Sequence, residues 1–123
     1  MQMTEIKNTK QYDLEDRSLL FAKRVRLFVQ ALLKTVGNIE DGKQLIRSSG
    51  SVGANYIEAN ESFSKKDFLL RIKICRKEAK ESRFWLQLVD VRDKEGLEDE
   101  RKELAVEATE LMNIFGAIIR KST

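Results

Sequence analysis

Histidine is missing altogether from the 123 residues. Its absence removes the usual general base near neutral pH, the commonest side-chain metal ligand and any Ser-His or Cys-His dyad. Di-iron carboxylate bundles are excluded on the same ground, because their sites need a Glu-x-x-His pair on each of two helices. The one cysteine, Cys75, cannot form an intrachain disulfide, serves zinc or haem poorly, and fits a reducing compartment. Proline is absent too, and with it the commonest interruption of long helices. No apolar run is long enough to span a bilayer, since the most apolar stretch, residues 19–36, is broken by Lys23, Arg24, Arg26 and Lys34. The opening MQMTEIKNTKQYDLEDRS carries no apolar signal-peptide core. The expectation is a soluble, cytoplasmic, non-membrane protein with no cofactor, no metal and no catalytic residues.

What is present is helical. A chain of 14.2 kDa with 41% hydrophobic and 35% charged residues is one domain, long enough to bury roughly two-thirds of its unfolded surface. We expect a flexible segment over residues 1–12 and a bundle over 13–121. The first helix is expected from Asp13 or Asp16 to about Val36, where Gly37-Asn38 gives a stop signal. Phe21, Val25, Phe28 and Leu32 share one face, and Ala22, Val29, Leu33 and Val36 widen it. The second helix is expected from about Asp41 to Glu61, with Leu45, Ser49, Val52, Tyr56, Ala59 and Phe63 as its seam. Its small residues, Ser48 to Ser51 and Gly53-Ala54, are poor helix formers and point to close helix approach. A phosphate-cradling loop over residues 48–53 is the weaker alternative, with neither a GxxxxGK[ST] motif nor a preceding strand.

Ser64 is placed to cap a third helix, with Asp67 three residues on. Phe68, Ile72, Cys75, Ala79, Ser82, Leu86 and Val89 sustain its seam at alternating spacings of four and three. Lys94-Glu95-Gly96 marks a turn, and Leu97, Leu104, Ala108, Leu111, Phe115 and Ile118 give the core face of a fourth helix ending near Lys121. Four long amphipathic helices with short connections make an all-α, antiparallel up-and-down four-helix bundle.

Charge is unevenly spread. Residues 62–85 hold eight Lys/Arg against three Asp/Glu, while residues 86–123 hold six against nine. One reading is mutual attraction of two oppositely charged helices; the other is a basic patch for an anionic partner. Lys66, Lys73, Arg76, Lys77 and Lys80 fall within a sector of roughly 100° on the third helix. Such a stripe tracks phosphates, and Phe84 and Trp85 near its end could stack on bases, although Trp85 equally suits the core or a subunit interface. A second apolar stripe, Leu70, Ile74, Trp85 and Leu88, asks for a partner surface. Ser51, Asn55 and Glu58 share a side of the second helix and suit an interhelical polar network better than a ligand site. Cys75 lies on the core seam, as a buried small side chain would.

Ile46 to Leu86, IRSSGSVGANYIEANESFSKKDFLLRIKICRKEAKESRFWL, resembles the 23S rRNA intervening-sequence proteins. The family's Ser-x-Ser-x-x-x-Asn-x-x-Glu pattern stands here as Ser49, Ser51, Asn55 and Glu58, and the segment Leu14 to Leu33 fits as well. Many members have Glu-Gly where this chain has Glu58-Ala59-Asn60. The resemblance implies an up-and-down four-helix bundle assembled as a ring-shaped homopentamer. It also implies kinship with the accessory variability protein of diversity-generating retroelements, which binds nucleic acid and its reverse transcriptase through a basic surface. From the residues alone, two functions lead: nucleic-acid binding by the stripe, with RNA and DNA both possible, or a protein-binding scaffold. A carboxylate enzyme site working without histidine or metal is a remote third and would need a pocket that sequence does not reveal.

Overall fold

The computed structural model describes residues 9–92 and 94–123, which form four helices: α1 (Thr9–Ala31), α2 (Val36–Asn60), α3 (Lys65–Leu88) and α4 (Leu97–Ser122). Of the segment expected to be flexible, residues 1–8 lie outside the described residues, and the chain is already helical from Thr9. Asp13 and Asp16 therefore stand inside α1 instead of capping it. Leu14 is already buried, so the turn that carries it has to form earlier.

The break between α1 and α2 falls before Gly37-Asn38, which open α2 instead of ending α1. Its cause is Thr35, an extended N-cap residue whose Oγ1 accepts the Asn38 backbone N–H at 3.1 Å. Asn38 is itself buried. Its Nδ2 donates to the Leu33 carbonyl at 3.0 Å and the Asp90 carbonyl at 2.9 Å, and its Oδ1 accepts the Asp90 N–H at 2.9 Å. One amide thus ties the α1–α2 connection to the α3–α4 connection at the same end of the bundle. At the other end α2 stops at Asn60, so Phe63 leaves the seam expected of it and stands fully in solvent. Ser64 caps α3 through the Asp67 N–H at 3.1 Å, as its spacing predicts. Gly96 takes φ +84° at the start of α4, a conformation that disfavours any residue with a Cβ.

Neighbouring helices run antiparallel: α1 packs on α2 and α4, and α3 packs on α2 and α4. Glu15–Asn60, Asn55–Arg71, Arg83–Thr109 and Arg17–Glu107 contacts bridge the four seams. Between them lie Phe21, Val25, Leu45, Val52, Ile72, Cys75, Leu86, Leu104, Leu111 and Phe115, all essentially inaccessible to water. The α1–α2 seam is close. A Cβ on Gly53 would sit 3.1 Å from Ser18 Cβ, and one on Gly42 would sit 2.9 Å from Val29 Cγ1. Residues 48–53 are helical throughout, which removes the phosphate-loop alternative.

Candidate nucleic-acid interface

The inner side of α3 is fixed by Ile72, Cys75, Ala79, Ser82 and Leu86, all buried. Helical periodicity then turns Lys66, Lys73, Arg76, Lys77 and Lys80 outward, and all five are exposed. Among the described residues none of them lies within ion-pair distance of a carboxylate.

The acidic α4 finds its counter-charge elsewhere. Arg17 of α1 reaches Glu107 at 2.7 Å and Glu110 at 3.0 Å, and Arg24 reaches Glu100 at 3.2 Å and Glu103 at 3.1 Å. Hydrogen bonds that the two guanidiniums donate to these carboxylates, Glu107 and Glu100 foremost, hold both arginines above their ordinary pKa. Arg47 of α2 pairs with Glu81 of α3 at 2.9 Å and lies 3.4 Å from the buried Glu78, whose Oε1 has an ion-pair contact but no hydrogen bond. Among the described residues no ion pair joins α3 to α4: α4 pairs with Arg17 and Arg24 of α1, and Lys66, Lys73, Arg76, Lys77 and Lys80 of α3 face away.

Beside the cations the second apolar stripe splits. Leu70 and Leu88 are more than half exposed, Ile74 is partly buried, and Trp85 packs against the hydrophobic core. Phe84 is exposed and meets Trp85 edge to face, ring centroids 5.0 Å apart at 78°.

Of the polar trio on α2, the structure joins two. Asn55 Nδ2 donates to the Ser51 hydroxyl and carbonyl, both at 2.9 Å, while Glu58 is exposed. The third member is Arg71 of α3, whose Nη1 donates to Asn55 Oδ1 at 3.0 Å. Sequence spacing along one helix cannot reveal a cross-helix partner. A second link it missed is the Ser48–Ser82 hydroxyl pair, 2.8 Å apart and fully buried. Cys75 is buried with its Sγ donating to the Val52 carbonyl at 3.4 Å, and burial pushes its thiol pKa up to about 12. Such a thiol is no nucleophile at neutral pH.

Among the described residues no three His, Cys, Asp or Glu side chains converge to hold a metal, and no helix is long and apolar enough to cross a membrane.

The family model described as 23S rRNA-intervening sequence protein matches residues 10–117. Solved structures similar to the chain include a protein of unknown function from the S23 ribosomal protein family of Bacteroides thetaiotaomicron, 31% identical, with a TM-score of 0.78 over 90% of this chain and 98% of that one. No curated protein matches. Neither description names a catalytic activity.

Proposed function

The chain belongs to the 23S rRNA-intervening sequence protein family, and from that premise we propose that it is a non-enzymatic, oligomeric helical bundle of the cytoplasm that binds RNA or another nucleic acid through Lys66, Lys73, Arg76, Lys77 and Lys80. The observation that carries the reading is that these five outward cations have no carboxylate partner among the described residues, while Arg17, Arg24 and Arg47 all do. Unpaired cations spaced along one helix face suit a polyanion that brings a phosphate to each. With no groove-reading motif beside them, the contacts are to backbone and carry little sequence preference.

The test is a salt titration. Five neutralised phosphates on a single strand give log K against log salt a slope of about −3.5, at roughly 0.7 per phosphate. Changing Lys73, Arg76 and Lys77 together to Gln should weaken binding and flatten that slope by about 2. Unchanged affinity in the triple variant would defeat the assignment.

A second reading, a scaffold that binds protein, is favoured by one observation: Leu70 and Leu88 stand exposed beside half-buried Ile74. We assign this stripe, with Trp85, to contact between copies of the chain, and the family resemblance suggests five. Light scattering coupled to size exclusion tests it; a monomeric mass would remove both the ring and the interface.

A further inference from the structure

We propose that Phe84 is a base-stacking platform, so that the α3 face takes single-stranded nucleic acid with unpaired bases in preference to duplex; this rests on the nucleic-acid reading above. Phe84 lies four residues after Lys80 and seven after Lys77, which puts its ring in the same angular sector as the cations. It is 55% exposed and has no place in the core. Its orientation is nevertheless set, because Trp85 meets it edge to face at 5.0 Å and Trp85 is anchored on the core. A ring held in this way loses little freedom when a base covers it.

The composition of the face decides the occupant. An apolar protein surface laid over Phe84 would also desolvate the neighbouring unpaired cations, at a cost unless it supplied a carboxylate to each. A nucleotide strand supplies both complements at once, phosphates for the cations and a π face for the ring. Duplex offers the phosphates but keeps its base faces stacked inside. From Lys66 to Phe84 the stripe spans about 27 Å, at about 1.5 Å per helical residue, a length suited to the short end of single-strand sites of roughly 4–16 nucleotides.

The experiment compares a fluorescein-labelled oligothymidylate and oligouridylate of roughly eight nucleotides with a hairpin duplex of the same charge, using the full chain and its Phe84→Leu and Phe84→Tyr variants. Phe84 is exposed, so neither variant should disturb the fold, which circular dichroism checks. The expected result is a loss of roughly 5- to 150-fold in single-strand affinity for Phe84→Leu, near-native affinity for Phe84→Tyr, and no change on duplex. Trp85 is the sole tryptophan, so single strand should also change its emission saturably in the native chain. The proposal is overturned if Phe84→Leu binds single strand as the native chain does, or weakens single strand and duplex alike. It is equally overturned if the substitution alters only oligomer mass, which would make Phe84 a contact between copies. Loss of binding in the triple Gln variant with none in Phe84→Leu would sink the stacking platform and leave the nucleic-acid reading standing. Absence of any binding by the native chain would sink both.

Discussion

Gly50 sits in the middle of α2 with nothing beyond its own stretch of helix within 4 Å of where a Cβ would be, whereas a Cβ on Gly42 would crowd the β-branched Val29 at 2.9 Å. Gly50→Ala should therefore stabilise the protein by about 0.5–1 kcal/mol through helix propensity and a less disordered unfolded chain. Gly42→Ala should lower stability, since overpacking of roughly 1–3 kcal/mol outweighs the same propensity gain. Urea melts of the two variants check both signs. At Cys75 the relevant quantity is protonation. Burial raises the thiol pKa from 9.0 to about 12, so the folded state holds the proton more tightly than the unfolded chain does. The stability this contributes is complete below about pH 9 and is lost as pH rises toward 12. Cys75→Ala should accordingly show a shallower alkaline loss of stability than the native chain between pH 9 and 11. A native-state thiol that reacts with Ellman's reagent as fast as free cysteine would contradict this burial.

At the scale of elements, the helices end where side chains can replace the missing backbone partners. Thr35 and Ser64 cap α2 and α3 in this way, and only Ser64 was legible, because Thr35 precedes the glycine and asparagine that read as a stop. Beside the Thr35 cap, the buried Asn38 holds the first break in place: its side chain makes three hydrogen bonds, one to Leu33 and two to Asp90, 52 residues further along the chain. Asn38→Ala leaves the Leu33 and Asp90 carbonyls and the Asp90 N–H without their partner, at about 1–3 kcal/mol for each group that stays buried and unpaired. We expect a lower urea midpoint and faster hydrogen exchange at Asp90, with the helix centres little changed; unaltered exchange there would show that the clasp is not what holds the two connections together.

Over the whole molecule, the charge map has two parts with different work. Two guanidiniums of α1 share four carboxylates of α4, which closes the bundle between its first and last helices and leaves that seam acidic. The cations of α3 take no part in this closure. Assembly is the property tested at this scale. On the proposed assembly through this stripe, Leu70 and Leu88 changed together to Ser should lower the mass in solution with little loss of helix or melting temperature, because both are more than half exposed. Trp85→Ala should cost stability as well as association, since Trp85 also packs on the core. If the Leu70/Leu88 variant keeps the native mass, the proposed assignment of this stripe to contact between copies fails.

The periodicity of apolar residues was sufficient for the number of helices, the bundle and most of each seam, because a 3.6-residue repeat admits one buried face per helix; it failed at helix ends, where Leu33, Val36 and Phe63 are exposed and Ile119 is buried in place of Ile118. It also placed the five cations on one side of α3. Which helix each charge would face was beyond it: whether α3 or α1 neutralises α4, whether Arg71 or Glu58 completes the Asn55 cluster, and whether Trp85 looks inward are decided by packing across seams. Periodicity constrains each helix about its own axis. Only the docked neighbours set the rotation and register of one helix against the next, and those fix which charges are paired and which are left to solvent.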